Sequence, residues 1–475
     1  MQKDALPSVE LMQRAARGVW NQIQQRWPDL RNMTVFAGAG NNGGDAFALA
    51  IMARQAGIQV QLTTMGDLER QSSESRYYRE QWQHMGEIQP WQGQIADCDL
   101  IVDGLLGIGL KQSLDQDWQV LIDQINRHSG WKVSIDIPSG LNADTGNAMP
   151  CAVRADMTMS FIGRKIGCFL ADGMDFCGDL VFDDLGVSSA IYQQVEPCAQ
   201  ILDDNRIHFP DTRRKNSHKY QYGHVLVVGG DRSMSGAARL AGMAALRCGA
   251  GLVSLCVHPD NVAMAAARHE ELMVSGWEQM NELLQKASVV VIGPGLGHST
   301  QAQNLLMKLG PCNKPVVVDA DALHSEFLSS LTSKSVVITP HPGEAARLLH
   351  CTTSDIQQDR LSAIEQLIER WHAVSVLKGA GTLIGAHDQT LSLCRQGHAG
   401  MASAGMGDVL SGMIAGYLAQ GLAAVQAAQT AVLVHALCAD LYAQTQDANS
   451  LIASDVIDLI GSVVRRCRQT QGVEP

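Results

Sequence analysis

The sequence has few aromatic residues, and it lacks the cysteine patterns that mark a disulfide framework or a metal-binding motif. Aromatic side chains make up 5% of the 475 residues, and the 12 cysteines include no CxxC pair. Disulfide frameworks are typical of short secreted chains. We therefore expect reduced thiols, a cytoplasmic protein and no metal site formed by cysteines.

Positive charge is also scarce. The chain has 36 Lys and Arg against 48 Asp and Glu, which gives a formal net charge of −12. Proteins that bind phosphate backbones normally carry a basic stripe, whereas the only basic cluster here is Arg213, Arg214 and Lys215. We expect no nucleic-acid partner. Nucleotides remain compatible with an acidic chain because they bind mostly to backbone amides and helix N-termini.

Neither a signal peptide nor a membrane anchor is expected. Residues 1–18 carry charges throughout and lack the apolar core of a signal peptide. Residues 409–439 contain no Asp, Glu, Lys or Arg and are long enough to cross a bilayer. Several glutamines and the central Gly421 instead favour two helices that meet near this glycine and pack inside a domain. A membrane span is the alternative.

The length and the apolar pattern indicate two α/β domains. Single cores stop growing near about 250–300 residues, and short apolar runs alternate with segments of helical periodicity along the whole chain. This pattern predicts parallel sheets with helices on both faces. We expect domains at residues 1–195 and 218–475, joined by a polar linker at 196–217 that contains Pro197 and Pro210.

The predicted strands lie before glycine-rich or polar segments, where ligands of such sheets bind. In the first half they are residues 33–37, 58–62, 100–102 and 133–137, with a helix at 46–55. In the second half they are residues 224–228, 252–257, 288–292, 315–318, 336–338 and 374–377, with a helix at 235–248.

Three acidic positions in the first half follow apolar runs. Residues 38–45 (GAGNNGGD) follow a predicted strand and open a helix, so their backbone amides suit an anionic ligand; a plain tight turn is the alternative. Asp103 and Asp136 end two further strands and should reach the same sheet edge as Asp45. A carboxylate there acts as a general base, a cation ligand or a helix cap.

Together, segments 41–45, 102–110 and 135–141 resemble the NAD(P)H-hydrate epimerase domain. The resemblance covers most of residues 8–187. It implies a Rossmann-like three-layer fold that interconverts the R and S hydrates at C6 of the nicotinamide ring, with Asp136 as the acid–base group. It also implies a potassium ion held by Asn42, Asp103 and Ser139. The implied substrate contacts are Asn41, Asn42, Gly43, Gly44, Asp45, Gly107, Ile108, Gly109, Leu110, Lys111, Gln112, Ser113 and Asp136.

Two segments of the second half suit phosphoryl transfer. Residues 378–382 (KGAGT) follow a predicted strand and suit a phosphate contact, with a β-turn as the alternative. In residues 397–412, small-residue turns end at Asp408, which begins an apolar helix. Backbone amides there stabilise charge on a transferring phosphoryl group, and Asp408 deprotonates the attacking hydroxyl. The alternative makes Asp408 a helix-terminal charge only.

With segments 222–230, 292–297, 318–323 and 339–344, these motifs resemble the ADP-dependent NAD(P)H-hydrate dehydratase over roughly residues 205–465. The resemblance implies a ribokinase-like three-layer α/β/α fold, in which ADP phosphorylates the C6 hydroxyl of the S hydrate and phosphate then leaves. Asp408 would be the base, and Mg²⁺ would screen the phosphates. The implied hydrate contacts are Ala237, Gly295 or Gly297, His341 and Asp408. His341 has an alternative role in ordering its loop.

The resemblance further implies that the nucleotide binds two segments. They are Lys378, Gly379, Ala380, Gly381 and Thr382, and then His398, Ala399, Gly400, Met401, Ala402, Ser403, Ala404, Gly405, Met406 and Gly407. The family patterns have other residues at Ala46, His398 and Ala404.

We therefore expect a bifunctional repair enzyme for hydrated NADH and NADPH that binds small molecules only and forms a homo-oligomer. The alternative is a ribokinase-like kinase of a small alcohol, fused to a non-catalytic N-terminal binding or scaffold domain.

Overall fold

The computed structural model describes residues 7–267 and 269–472. The chain divides into two compact units, Met1–Glu196 and Pro197–Pro475. Each unit is built around one sheet. The segment 196–217 differs from the predicted linker, because Ala199–Ile201 forms an edge strand of the second sheet.

The first unit has a seven-stranded sheet in the order β3-β2-β1-β4-β5-β6-β7, and every pairing in it is parallel. The strand order reverses between β1 and β4. The connections that follow these two strands therefore run in opposite directions along the sheet. The strands are β1 Asn32–Ala37, β2 Gln59–Thr64, β3 Ile88–Pro90, β4 Leu100–Gly104, β5 Trp131–Ile135, β6 Met157–Phe161 and β7 Asp179–Asp183.

Helices connect these strands and bury apolar side chains against the sheet in two clusters. One cluster includes Trp20, Phe47 and Trp82, and the other includes Phe36 and Leu121. The helices are α1 Ser8–Arg26, α2 Asn41–Gln55, α3 Ser73–Gln83, α4 Gln116–Arg127, α5 Gly173–Phe176 and α6 Ser189–Tyr192.

The second unit has a ten-stranded sheet in the order β11-β10-β9-β12-β13-β14-β15-β16-β17-β8. Strands from β11 through β15 are parallel, whereas β16 is antiparallel to both of its neighbours. The strands are β8 Ala199–Ile201, β9 His224–Val228, β10 Leu252–Val257, β11 Met273–Gly276, β12 Val289–Ile292, β13 Val316–Val318, β14 Val336–Ile338, β15 Val374–Leu377, β16 Thr382–Gly385 and β17 Leu391–Cys394.

Eleven described helices accompany this sheet. They are α7 Ser235–Arg247, α8 Val262–Ala266, α9 Met280–Lys286, α10 Thr300–Leu309, α11 Ser325–Ser330, α12 Pro342–Leu349, α13 Thr353–Gln358, α14 Arg360–Trp371, α15 Met406–Ala419, α16 Ala424–Ala443 and α17 Ala453–Thr470. One large core includes buried residues of the sheet and of α7, α15, α16 and α17.

The uncharged stretch 409–439 forms two helices, α15 and α16, as predicted. Gly421 lies between them in the left-handed region with φ +97°, which glycine adopts without a steric penalty. Of the described helices, α16 alone is long and apolar enough to cross a membrane, but 61% of its apolar stretch is buried inside the unit. It is a core helix.

The predicted strands agree with the observed ones to within two residues at each end. The helix predicted at 46–55 begins five residues earlier, at Asn41. Residues 41–45 are therefore the first helical turn rather than part of a loop. Strands β3, β6, β7, β8, β11, β16 and β17 have no counterpart among the predictions.

Candidate active sites

The site of the first unit lies where β1 and β4 end, beside the first turn of α2. Asn42 donates a hydrogen bond from Nδ2 to the carbonyl oxygen of Leu106 (3.0 Å). Ser139 accepts one from the backbone N–H of Leu106 (2.8 Å). Ser139 also donates its backbone N–H (2.8 Å) and its hydroxyl to Asp103. The structure thus brings together Asn42, Asp103 and Ser139, the three residues predicted to hold a cation.

Asp103 does not cap a helix, which excludes one of its alternative roles. Its side chain is fully buried and accepts hydrogen bonds from the hydroxyl of Ser134 (2.9 Å), from Ser139 and from the backbone of Leu105 (3.2 Å). Burial raises the pKa of this carboxyl above its ordinary value, although these hydrogen bonds oppose the shift. A nearby cation would favour its ionised form.

One polar atom of this cluster has no partner. The Oδ1 atom of Asn42 is buried without a hydrogen bond, and such an atom costs free energy unless a ligand satisfies it. An amide oxygen, a carboxylate and a hydroxyl are the hard oxygen donors that alkali and alkaline-earth cations prefer. No group of three His, Cys, Asp or Glu suited to a metal occurs among the described residues.

A second acidic group lies in the same site. Asp136 follows β5 with a left-handed backbone (φ +66°), and its Oδ1 accepts hydrogen bonds from the ammonium of Lys165 and from the N–H of Phe161 (3.2 Å). The pKa of Asp45 is raised well above its ordinary value by burial and by the charge of Asp136, while Lys165 acts in the opposite direction. The site thus places a buried carboxyl with a raised pKa near a second carboxyl that is paired with a lysine.

Asn42, Asp45, Asp136 and Lys165 line one cavity of about 1460 Å³, whereas Asp103 and Ser139 are not among its lining residues. Of the predicted substrate contacts, ten line it: Asn41, Asn42, Asp45, Gly107, Ile108, Gly109, Leu110, Lys111, Gln112 and Asp136. The other three, Gly43, Gly44 and Ser113, are not among its lining residues. Gly43 serves packing, because a Cβ there would lie 2.0 Å from the carbonyl oxygen of Gly38.

Ala46, where the family pattern has another residue, fits because position 104 is a glycine. Ala46 is fully buried, and a Cβ on Gly104 would lie 2.5 Å from the Ala46 methyl. The glycine therefore supplies the space that the methyl group fills, and α2 keeps its position against β4.

The site of the second unit is formed by the loops that follow β9, β12, β13, β14 and β15. The loop after β12 packs tightly, since a Cβ on Gly293 would lie 1.7 Å from the carbonyl oxygen of Asp319. A Cβ on Gly295 would lie 3.1 Å from the Cβ of Ala237, so these two predicted hydrate contacts are neighbours. The N–H of Gly297 donates to Asp321 (2.9 Å).

Two carboxylates pair with one lysine beside Asp408. Lys378 lies 2.9 Å from Asp319 and 3.7 Å from Glu344. Burial alone lowers the pKa of Lys378, but the charges of Asp319 and Glu344 outweigh burial and raise it. Sequence reasoning expected Lys378 to face the nucleotide, whereas its ammonium points toward these carboxylates. A Cβ on Gly407 would lie 3.2 Å from this Nζ atom, so the lysine lies directly against the glycine turn.

Asp408 lies in the first turn of α15. Burial raises its pKa to about 7, the nearby carboxylate of Asp319 adds to the shift, and Lys378 opposes it. A group with a pKa near the working pH exchanges protons efficiently. This shift is opposite in direction to the effect of a helix N-terminus, which favours the ionised form and lowers the pKa of a carboxyl.

The two predicted nucleotide segments are turns. Residues 378–382 connect the antiparallel strands β15 and β16, with positive φ at Gly379 (+137°) and Gly381 (+67°). In the second segment His398 accepts a hydrogen bond from the N–H of Gly400 (3.2 Å). Ala404 is exposed, and its backbone is not in the left-handed region that would require glycine.

His341 orders its loop, as its alternative role proposed. Its Nδ1 accepts hydrogen bonds from the N–H groups of Gly343 (3.0 Å) and Glu344 (3.3 Å) at the start of α12, and Glu344 accepts from the backbone of His341 (2.8 Å). The ring is 55% exposed. Its outer face thus stays accessible to a ligand.

Sequence reasoning assigned no role to Lys165, Asp319, Glu344 or Arg360. Asp319 directly follows β13, and Glu344 lies in the first turn of α12. Both belong to the segments 318–323 and 339–344, so their positions were a usable signal. Lys165 and Arg360 carry no such signal, because their partners lie 29 and 17–21 residues away along the chain.

These two units define a class of protein: an enzyme with two α/β active sites, the first on a parallel sheet and the second on a ribokinase-like fold. The second unit is similar to a ribokinase-like superfamily protein of Enterococcus faecalis (28% identity, 57% of this chain and 98% of that one, TM-score 0.52). It is also similar to the ADP/ATP-dependent NAD(P)H-hydrate dehydratase of Bacillus subtilis co-crystallised with ATP and Mg²⁺ (29% identity, 56% and 96%, TM-score 0.51).

Residues 225–461 match the NAD(P)H-hydrate dehydratase family and residues 8–167 match the YjeF-related protein N-terminus. The bifunctional NAD(P)H-hydrate repair enzymes Nnr of Escherichia coli and Coxiella burnetii are 39% and 38% identical to the chain. The alignments cover 97% and 96% of this chain and 90% and 94% of those proteins. The chain belongs to the family of bifunctional NAD(P)H-hydrate repair enzymes.

Proposed function

We propose that Asp408 is the general base of an ADP-dependent dehydration of the S hydrate. The observation that carries this proposal is the carboxyl group with a pKa of about 7 at the glycine turn 405–407, beside Lys378. Asp408 accepts the proton of the C6 hydroxyl as its oxygen attacks the β-phosphorus of ADP, and AMP leaves. Phosphate then departs from C6 while a proton leaves C5, which restores the ring double bond.

The second unit's own groups prepare this step. The turns at 378–382 and 398–407 present backbone amides to the nucleotide, and Ala237, Gly295 or Gly297, and the outer face of His341 contact the hydrate. Mg²⁺ supplies charge neutralisation at the phosphates when it is bound. Asp319 and Glu344 would hold it through water, since Mg²⁺ sites combine one or two carboxylates with substrate phosphates.

The test is the conversion of S hydrate by the full chain with ADP and Mg²⁺, followed by absorbance of the reduced nicotinamide. We expect Asp408→Asn to lower kcat at least about a hundredfold, in the usual range for a general base, with a small change in the KM for ADP. An unchanged kcat would contradict this role. A stable phosphorylated alcohol as product would support the small-alcohol kinase instead.

In the first unit, we propose that Asp136 and Lys165 act with Asp45 to invert C6. In a balanced route, one group accepts the hydroxyl proton as C6=O forms and the C6–N1 bond breaks, and another group donates a proton to N1. Ring closure on the other face of the carbonyl reverses both proton transfers and inverts C6. The ion pair of Asp136 with Lys165 supports Asp136 as the acceptor. The raised pKa of Asp45 supports Asp45 as the donor.

We further propose that Asn42, Asp103 and Ser139 hold K⁺, whose charge would orient the hydrate beside Asp136. The partnerless Oδ1 of Asn42 supports this assignment. Following the ratio of epimers from pure R hydrate by chromatography tests both proposals. Asp136→Asn should abolish the enzymatic rate, and Asn42→Ala should raise the K⁺ concentration needed for half-maximal rate. If the rate of the unaltered protein does not depend on the K⁺ concentration, the cation assignment is wrong.

The net charge of −12 supports a protein that binds no nucleic acid. The twelve free cysteines, most of them buried, support a cytoplasmic location. Family membership supports a homo-oligomer, which light scattering of the purified chain would test.

A further inference from the structure

Arg360 is a buried cation beneath the turn that connects β15 and β16. It is the first residue of α14, and only 1% of its surface is exposed. Its Nη2 donates hydrogen bonds to three carbonyl oxygens at the two ends of this turn, those of Leu377 (3.2 Å), Lys378 (3.3 Å) and Gly381 (3.3 Å). The guanidinium group therefore joins the two ends of the turn on its inner side.

No carboxylate of the described residues forms an ion pair with Arg360. Its Nη1 donates to the side-chain oxygen of Gln357 (3.1 Å), and its Nε has no partner. Burial lowers its pKa to about 10. A buried charge without a counter-ion opposes folding, and a cation at a helix N-terminus is unfavourable as well. The hydrogen bonds to the carbonyl groups explain a donor at this position, but they do not require a net charge.

The turn lies directly on the guanidinium group. A Cβ on Gly379 would lie 2.9 Å from Nη1 and 3.2 Å from Nη2 of Arg360, so only glycine permits this contact without a shift. The C=O and N–H of a trans peptide point in opposite directions. Because the carbonyl of Lys378 points inward to Arg360, the N–H of Gly379 is turned away from it, toward the outer side of the turn. A phosphate bound on that side would be separated from the positive charge by one layer of backbone.

We propose that Arg360 is a positioning residue of the nucleotide site, whose missing counter-ion is a phosphate of the bound nucleoside diphosphate. This inference rests on the proposed nucleotide role of residues 378–382. Arg360 fixes the orientation of the turn and adds attraction for the anion through the backbone, without touching the ligand. The nucleotide supplies the negative charge that the protein interior lacks.

Two substitutions separate the charge from the hydrogen bonds. Arg360→Lys keeps a positive charge, whereas Arg360→Gln keeps an N–H donor for the carbonyls but is neutral. Arg370→Gln is the matched control, because Arg370 lies on the same helix and is exposed. The measurement is the affinity of the full chain for ADP alone by titration calorimetry, together with the KM for S hydrate and the midpoint of thermal unfolding.

We expect Arg360→Gln to weaken ADP binding about tenfold or more, which corresponds to loss of one strong electrostatic contribution. Arg360→Lys should weaken it clearly less, and Arg370→Gln should not change it. The KM for the hydrate should stay within about twofold in all three, because the hydrate contacts lie in other loops. ADP should raise the unfolding midpoint of Arg360→Gln less than that of the unaltered protein.

Equal ADP affinity of Arg360→Gln and the unaltered protein would overturn the inference. So would equal losses in the lysine and glutamine variants, since hydrogen bonding rather than charge would then be responsible. No ADP binding by the unaltered protein would instead overturn the proposed nucleotide role of the turn.

Discussion

Asp408 and Asp45 show how burial and neighbouring charges determine the protonation of a carboxyl group. Both are buried near another carboxylate and a lysine, and both pKa values are raised. Burial disfavours the ionised form, and a like charge acts in the same direction. Each unit thus holds a carboxyl that exchanges protons at higher pH than an exposed aspartate does.

The pH dependence of dehydration should report Asp408. The base acts when ionised, so kcat/KM for the S hydrate should rise with pH and level off above a midpoint of about 7. Asp319→Asn removes a like charge from beside Asp408 and lowers its pKa. The midpoint should therefore move to lower pH in that variant. A midpoint that stays near 7, or that moves upward, would show that the charge of Asp319 does not control the base.

Sequence reasoning at this scale succeeded where a residue lies inside a glycine-rich segment at a strand end. Asn42, Asp103 and Ser139 were predicted to meet, and the structure brings them together. Lys165 and Arg360 escaped prediction because their roles depend on contacts with distant backbone and side chains. No local pattern of residue types predicts such a contact.

At the scale of elements, two packed helices illustrate why the second half is rich in small residues. Along α15, a Cβ on Gly412 would lie 2.0 Å from the carbonyl oxygen of Ala241 in α7, and one on Gly416 would lie 2.8 Å from that of Ala245. Such close approach brings backbones into contact and fixes the start of α15, where Asp408 lies. The packing of these helices therefore positions the base.

Gly412→Ala should destabilise the protein by about 1–3 kcal/mol, because the added methyl forces the two helices apart. Gly461→Ala on α17 is the control, since nothing lies within 4 Å of a Cβ there. It should stabilise by about 0.5–1 kcal/mol through better helix propensity. Urea unfolding of the full chain measures both free energies. Equal effects of the two substitutions would contradict the packing described for α7 and α15.

Strand boundaries were predictable where an apolar run ends at a glycine or a polar residue. Strands β9, β10, β14 and β15 were predicted with the bounds that the structure has. The start of α2 was misplaced because asparagine and glycine are poor helix formers. Tertiary packing against Gly38 overrides that preference.

At the scale of the whole molecule, two units on one chain serve one damaged cofactor. The R hydrate becomes a substrate for dehydration only after inversion at C6, so the first unit supplies the epimer that the second consumes. Length and alternating pattern predicted two α/β units. The strand contributed by residues 199–201 was not predicted, because the polar segment around it, with Pro197 and Pro210, is typical of a linker.

The most direct test of this account uses an equal mixture of R and S hydrates with ADP and Mg²⁺, and follows recovery of reduced-nicotinamide absorbance. The unaltered protein should recover the whole mixture. Asp136→Asn should recover the S half quickly and the R half only at the spontaneous rate, while Asp408→Asn should recover neither. Complete recovery by Asp136→Asn at the rate of the unaltered protein would contradict the division of the two reactions between the two units.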